Sequence, residues 1–232
     1  MMFDLHSHVL PGIDDGAKNV EESLNMLSDS YVQGITLCVC TPHIEVYDEN
    51  SINVFLEKRK QSADSLYNAV GEKGVTVPER VLGAEVYLFN DISCIDNVDK
   101  LCIGQTNYML IELSTKKYNP NYSEWLYSLS LKNIVPIIAH IERYPYIDEL
   151  IEELRDIEVV YQINAQTLLK RKWIKRLKQM SEMGLSVVCS SDMHNMKLRR
   201  NRMKDAFIKL SAKNPELAQK VFNDNSRKIL NK

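Results

Sequence analysis

Short apolar runs recur along the chain and alternate with stretches in which apolar residues return every three or four positions. The runs predict seven strands, at 2–6, 35–40, 81–87, 107–113, 134–140, 157–164 and 185–190. Residues 51–70 and 169–183 have helical spacing, and Asn19 before Glu21 and Glu22 predicts the start of another helix. Strands without polar alternation are typical of parallel sheets buried on both faces. The pattern therefore predicts an α/β fold whose parallel strands form a closed or nearly closed barrel.

Groups able to bind metal ions stand where these runs end. They comprise all five histidines and several carboxylates: His6, His8, His43, Glu85, Glu112, His140, Asp192 and His194. The carboxyl ends of barrel strands meet at one rim, so these groups are expected to lie together. Taken singly, each one fits a capping or loop residue. As a set they need compensating charge, which a cation supplies.

The spacing within the set favours more than one ion. His6-Ser-His8 and Asp192-Met-His194 each place two ligands two residues apart, on one face of an extended segment. With one of Asp14 or Asp15, the candidates number nine, whereas a single zinc needs three or four. The pattern predicts two or three ions. Nitrogen and oxygen ligands without thiolate suit manganese, iron or zinc, and the order among these stays open.

Length, charge and hydropathy narrow the functional classes. No Pro-, Gly- or Ser-rich linker divides the 232 residues, which predicts a single domain over 1–232. The net charge of −2 disfavours a nucleic-acid partner. The apolar stretch 134–139 is far shorter than the roughly 20 residues that span a bilayer, and residues 1–6 do not resemble a signal peptide. We therefore expect a cytoplasmic protein without membrane insertion.

Phosphate-ester hydrolysis suits a site with several cations. Such ions lower the pKa of a shared water and absorb charge on the phosphoryl oxygens. None of the five cysteines is followed by arginine six positions later, which excludes the thiolate loop of cysteine-based tyrosine phosphatases. Arg143 and Arg199 are the candidates for phosphate recognition, because a guanidinium binds two oxygens at once. The alternative for both is a surface salt bridge.

Five segments together resemble a known family. They are HSHVLPGIDDG (6–16), GAEVY (83–87), LIEL (110–113), IAHIERY (138–144) and SDMHN (191–195). In this order they resemble the polymerase-and-histidinol-phosphatase (PHP) superfamily. More narrowly, they are similar to the manganese-dependent tyrosine-protein phosphatases of bacterial capsule and exopolysaccharide operons. The resemblance implies a distorted TIM-like (β/α)7 barrel of PHP type.

The resemblance also implies a division of the ligands among three ions. His6, His8, Glu85 and Asp192 would hold the first, Glu85 would bridge to a second held by Glu112 and His140, and the third would be held by Asp15, His43 and His194. Arg143 and Arg199 match arginines of the family's substrate site. The implied cofactor is Mn²⁺, and the implied partner is a phosphotyrosine protein, such as a bacterial tyrosine kinase of polysaccharide export.

Two other functions remain open at this stage. A small-molecule phosphatase, such as one that hydrolyses histidinol phosphate, would use the same chemistry. A non-catalytic metal-binding module belongs to a different class, and the complete ligand set argues against it. Tyr47, Tyr87 and Tyr118 also follow strand ends, where either packing or the wall of an aromatic pocket explains them.

Overall fold

Parallel strands alternating with helices make up the computed structural model, which describes residues 2–232. The strands are β1 (Met2–Ser7), β2 (Ile35–Cys40), β3 (His43–Glu45), β4 (Glu79–Leu82), β5 (Glu85–Tyr87), β6 (Tyr108–Glu112), β7 (Val135–Ile138), β8 (Val160–Asn164) and β9 (Ser186–Ser190). Every pairing among these strands is parallel. The predicted α/β class with parallel strands is confirmed.

Helices connect most of the strands. They are α1 (Val20–Val32), α2 (Glu49–Lys73), α3 (Tyr122–Leu131), α4 (Ile147–Glu153), α5 (Ala165–Leu168), α6 (Arg171–Glu182), α7 (Met203–Ser211), α8 (Pro215–Gln219) and α9 (Asn225–Leu230). Asn19 caps α1 as predicted, because its side chain accepts a hydrogen bond from the Glu22 amide. Among residues 2–232, no helix combines the length and the apolar character that crossing a membrane requires.

The strands form two sheets, ordered β1-β2-β4 and β3-β5-β6-β7-β8-β9. They meet where β1 approaches the end of β9: Ser7 bridges to Met193, and the Asp192 amide donates to the His6 carbonyl at 2.9 Å. One buried cluster takes side chains from six strands, β1, β2, β6, β7, β8 and β9. Each of its Leu, Ile and Val side chains contributes about 1.5–3 kcal/mol by burial. This core holds these six strands together.

The predicted strand 81–87 is wrong as a single element, and strand β3 was not predicted. Gly83 and Ala84 break 81–87 into β4 and β5, which belong to different sheets. Thr41 and Pro42 separate β2 from β3 in the same way. A hydrogen bond joins the two breaks: the Gly83 amide, between β4 and β5, donates to the carbonyl of Cys40, at the end of β2, at 2.9 Å. Only pairing between distant segments decides such a change of sheet.

Candidate metal centre

The loop that follows β1 brings His8 to the rim. Its ends are closed by two hydrogen bonds, from the Ala17 amide to the His8 carbonyl at 3.0 Å and from the Gly12 amide to the Ala17 carbonyl at 2.8 Å. The His8 amide donates to the Met193 carbonyl at 3.0 Å, which ties this loop to the segment after β9. Both H-x-H and D-x-H segments are therefore held side by side by backbone bonds.

Replacing Gly16 with alanine is expected to distort this loop. A Cβ at Gly16 would lie 2.2 Å from the carbonyl oxygen of His8 and 2.5 Å from its Cβ. We expect Gly16→Ala to lower the free energy of unfolding by at least about 2 kcal/mol and to weaken metal binding, because His8 must move. Urea unfolding and metal titration measure the two effects.

Gly71 provides the matched control for this substitution. A Cβ added at Gly71, within α2, meets nothing within 4 Å. Gly71→Ala is expected to keep or slightly raise stability, by up to about 1 kcal/mol, since alanine favours the helix. Equal stability and metal affinity in Gly16→Ala and the parent protein would contradict the proposed crowding.

Glu85, at the start of β5, is the centre of the cluster. Its Oε2 lies 2.9 Å from His6 Nε2, 3.1 Å from His8 Nε2 and 3.2 Å from His43 Nδ1. Its other oxygen, Oε1, lies 2.9 Å from His140 Nε2. The side chain of Glu85 is only 1% exposed. A buried carboxylate that faces four imidazoles through both oxygens has the geometry of a bridging ligand.

Glu112 and Asp192 extend the cluster on two sides. Glu112 lies 3.4 Å from His140 and 3.7 Å from His43 through its two oxygens. Asp192 Oδ1 lies 3.6 Å from His6 Nε2 and 3.8 Å from His8 Nε2. Each of these distances is longer than an ordinary hydrogen bond and suits two groups that bind the same ion.

A third group forms around Asp15. Its Oδ1 lies 3.4 Å from His43 Nε2 and 3.2 Å from His194 Nε2. The structure thus brings all nine predicted ligands into one cluster. Three subsets have ligand atoms within 4.8 Å of one another: His6, His8 and Asp192; His43, Glu85 and Glu112; and His8, Asp15, His43 and His194. They differ from the three implied sets at three points: the first subset lacks Glu85, the second has His43 where His140 was implied, and the third adds His8.

One buried nitrogen shows that this set fits a cation. His194 Nε2 is buried and has no hydrogen-bond partner among residues 2–232. Burial and the neighbouring charge of His8 lower the pKa of His194 to about 3, so its imidazole is neutral and its lone pair is available. An unsatisfied imidazole that faces a carboxylate is costly unless an ion fills the gap.

Charge within the cluster also favours a cation. Burial lowers the pKa of His8, but hydrogen bonds with Asp14 and Glu85 outweigh it and raise this pKa to about 10. Burial likewise opposes protonation of His140, whose pKa is raised to about 9 by Glu112 and Glu85. The carboxylates therefore attract positive charge strongly. A metal ion that binds here must displace these protons, so its binding releases protons.

Asp14 and Asp15 have different roles in the structure. The side chain of Asp14 is 4% exposed and accepts from His8 Nδ1 at 2.7 Å, the Gly16 amide at 2.9 Å and the His43 amide at 3.2 Å. Asp14 therefore fixes the orientation of the His8 ring through Nδ1. A metal-binding histidine usually donates its second ring nitrogen to such a partner. The side chain of Asp15 is 64% exposed and faces His43 and His194.

Several further residues support the ligands and were not predicted as site residues. Gln162 Oε1 lies 3.1 Å from His6 Nδ1 and accepts from the His140 amide at 2.6 Å. The Tyr144 hydroxyl lies 3.2 Å from His140 Nδ1. Asn164 donates to Asp192 Oδ2 at 2.8 Å. Asn164 ends the predicted strand 157–164, Tyr144 ends the segment 138–144, and Gln162 lies within β8. Only their contacts show that they support the ligands.

Asp4 supports the site from within β1. This buried carboxylate accepts from the Ser191 amide at 2.9 Å and the Ser191 hydroxyl at 2.6 Å. Burial raises the pKa of Asp4 to about 6, although its bonds to Ser191 oppose the shift. Asp4 therefore anchors the residue that precedes Asp192.

Two candidate ligands have unusual backbone angles. His140 has a φ of 29° and Asp192 a φ of 51°, in the region that non-glycine residues seldom adopt. Both residues directly follow short connections from their strands, and neighbouring hydrogen bonds hold them in place. Strain of this kind is retained where surrounding contacts fix a functional side chain.

The two predicted arginines converge on Asp192. Arg143 donates to Asp192 Oδ2 at 2.6 Å, and Arg199 donates to Oδ1 at 2.7 Å. Their side chains are 36% and 34% exposed. Both line an open cleft of about 710 Å³ together with Asp15, His43 and Glu112. Both donate to a buried candidate ligand, and only Arg199 also lies near an exposed acid, Asp15, at 3.6 Å. Their main contacts argue against the surface-salt-bridge alternative.

The three tyrosines of the sequence analysis separate in the structure. Tyr87 lines the cleft. Tyr47 is exposed and its ring lies 5.0 Å from that of Phe89. Tyr118 packs against Tyr146 at 5.1 Å, and its hydroxyl donates to Glu153 at 2.5 Å. Tyr87 alone of the three contributes to the cleft wall.

Comparisons with known proteins point to one family over nearly the whole chain. The family of capsular polysaccharide synthesis proteins CpsB/CapC matches residues 2–231. Tyrosine-protein phosphatase CpsB of Streptococcus pneumoniae is 32% identical, over 99% of this chain and 98% of its own length. Tyrosine-protein phosphatase YwqE of Bacillus subtilis is 32% identical, over 90% of this chain and 84% of its own length.

The fold is similar to solved structures as well. Crystal structures of YwqE from Bacillus subtilis and CpsB from Streptococcus pneumoniae, described as metal-dependent tyrosine phosphatases, provide a match with a TM-score of 0.82. It covers 100% of this chain and 95% of the other, at 24% identity. This similarity confirms the predicted fold class.

Proposed function

Because this chain belongs to the CpsB/CapC family of capsular polysaccharide synthesis proteins, we propose that it is a metal-dependent protein-tyrosine phosphatase. The names of the relatives CpsB and YwqE support this activity. The observation that carries the proposal is the convergence of nine imidazole and carboxylate groups around Glu85, beside two arginines in one cleft. A non-catalytic module has no need of these arginines.

The ligands would be divided among the ions as the resemblance implies. His6, His8 and Asp192 would hold one ion, Glu112 and His140 a second, and Asp15, His43 and His194 a third, with Glu85 bridging the first two. When bound, the ions would supply an activated water nucleophile and neutralise charge on the phosphoryl oxygens. Manganese is our proposed metal, and iron or zinc suits the same nitrogen and oxygen donors.

The arginines would bind and orient the phosphoryl group. A guanidinium has five N–H donors, and the side chain of Arg143 uses one nitrogen on Asp192. The Arg199 side chain donates to Asp192 and lies 3.6 Å from Asp15. Their remaining donors are available to phosphoryl oxygens from the cleft. Asp192 thereby fixes both guanidinium groups next to the candidate metal ligands.

Substrate reach favours phosphotyrosine. Its phosphate stands about 6 Å further from the backbone than that of phosphoserine, and Glu85 is buried below the cleft. The tyrosinate leaving group, with an ordinary pKa near 10, also departs more readily than a serine alkoxide. Tyr87 in the cleft wall offers an aromatic surface to the phenyl ring.

We expect phosphotyrosine peptides to be hydrolysed at least about 10-fold more efficiently than phosphoserine peptides, a difference of about 1.4 kcal/mol in barrier. The measurement is kcat/KM on matched peptides and on histidinol phosphate, with manganese supplied. Equal efficiency on both peptides, or a preference for histidinol phosphate, would favour the small-molecule phosphatase instead.

The biological setting forms part of the same proposal. The substrate would be a phosphotyrosine protein, such as the tyrosine kinase of a polysaccharide-export system. A cytoplasmic location is supported by the cysteines, since Cys38, Cys40, Cys94, Cys102 and Cys189 form no disulfide within the described residues. Residues 1–232 would act as a single domain, as the hydrophobic cluster that runs from Met2 to Phe222 supports.

A further inference from the structure

A second cavity, of about 270 Å³, adjoins the main cleft. The two share Arg143 and Arg199. The second cavity is completed by Lys170, which precedes α6, and by Leu198 and Arg200 from the loop after β9. Lys170, Leu198 and Arg200 line this cavity and not the main cleft. They are neither proposed metal ligands nor the arginines proposed to bind phosphate.

This cavity has an excess of positive charge. Its lining includes four basic residues, Arg143, Lys170, Arg199 and Arg200, and two carboxylates, Glu142 and Asp192. Both carboxylates are engaged: Asp192 accepts from Arg143 and Arg199, and Glu142 accepts from the Thr167 hydroxyl at 2.9 Å and from the Asn164 amide at 3.3 Å.

Two of these cations lack a counter-charge. Across residues 2–232, no carboxylate lies within 4.0 Å of the side-chain nitrogens of Lys170 or Arg200, and both residues are exposed. Leu198, beside them, is 88% exposed. Because Leu198 lines the same cavity as Lys170 and Arg200, a peptide that reaches these two cations would also contact its apolar side chain.

We propose that this cavity is a subsite for an acidic side chain of the substrate, lying one or two residues from the phosphotyrosine. The inference rests on the proposed function. Lys170 and Arg200 would bind the carboxylate, while Leu198 would contact the peptide backbone or a neighbouring apolar side chain. The cavity and the main cleft share Arg143 and Arg199, so the two sites are adjacent. An extended chain advances only about 3.3–3.6 Å per residue, so the acidic residue must lie close to the phosphotyrosine along the peptide.

The test compares phosphotyrosine peptides that differ only in flanking residues. Three peptides carry two glutamates before the phosphotyrosine, two glutamates after it, or alanines at all these positions. For the wild-type protein with manganese, we expect at least one acidic peptide to have a KM about 3- to 10-fold below that of the alanine peptide. We expect kcat to stay within about twofold, since Lys170 and Arg200 do not touch the reacting group.

Charge reversal identifies the residues responsible. Lys170→Glu with Arg200→Glu should abolish the preference for the acidic peptide, whereas kcat/KM on the alanine peptide, which has no flanking carboxylate, should fall far less. The matched control is Lys172→Glu with Lys197→Glu, which makes the same charge change at exposed positions outside this cavity and should keep the preference. If charge reversal impairs folding, the milder pair Lys170→Gln with Arg200→Gln replaces it. Neutralising the two cations should reduce the preference for the acidic peptide without reversing the charge of the cavity.

The outcomes separate this inference from the proposed function. Hydrolysis of all three peptides with equal KM would overturn the subsite and leave the phosphatase assignment intact. An equal loss of preference in the control pair would also overturn it, because the effect would then come from net charge. Failure to hydrolyse any phosphotyrosine peptide would overturn both.

Discussion

Replacing Glu85 with glutamine is expected to lower kcat/KM on a phosphotyrosine peptide by at least about 10³-fold, equivalent to about 4 kcal/mol of barrier. The substitution keeps the size of the side chain but removes the charge that faces His6, His8, His43 and His140. Neutral amide oxygen is a weaker ligand than carboxylate, so the bound metal should fall by at least one ion per chain.

Elemental analysis of the purified protein and peptide kinetics test this result together. Glu124→Gln, an exposed position in the first turn of α3, makes the same chemical change away from the cleft and should keep the parent activity and metal content. Full activity in Glu85→Gln, or activity that survives exhaustive chelation of the parent protein, would contradict metal dependence.

Removing either cleft arginine is expected to cost about 10²- to 10³-fold in kcat/KM. Arg143→Ala and Arg199→Ala each remove a fork of donors from the position proposed for the phosphoryl group. Lysine should restore activity only in part, because its ammonium cannot bind two oxygens in the same plane. The metal content should stay at the parent level, since neither arginine is a metal ligand.

Metal analysis separates this role from a structural one. Both arginines also hold Asp192, so a purely orienting role would appear as lost metal together with lost activity. The control is Arg202→Ala, three residues beyond Arg199, whose guanidinium pairs with Asp205. If both Arg143→Ala and Arg199→Ala keep the kcat/KM of the parent protein, the proposed phosphate binding is contradicted and these residues form only ordinary surface ion pairs.

Secondary structure was predictable wherever apolar pattern and length agreed. The strands near 2–6, 35–40, 107–113, 134–140 and 185–190 lie where the apolar runs predicted them, and burial on both faces explains the strength of that signal. The segment 157–164 becomes strand only from Val160. Residues 43–45 escaped prediction because a three-residue strand has too few positions to show a pattern.

The support around the ligands was the least predictable part of the site. Gln162 is a buried polar residue within a strand, and nothing in its neighbours along the chain indicates that it contacts both His6 and His140. The choice between Asp14 and Asp15 likewise depended on resemblance. In the structure, the two aspartates differ because Asp14 turns toward His8 and Asp15 toward His43 and His194.

The sequence by itself determined which groups are available at the rim, because imidazoles and carboxylates at the ends of apolar runs must emerge together when parallel strands pack around one core. Only the tertiary structure decided how they face one another. The break at Gly83 and Ala84 moves Glu85 into a different sheet from β4, and contacts between residues far apart in the chain set its distances to four histidines. Such contacts depend on pairing and packing across the whole fold, which local pattern does not encode.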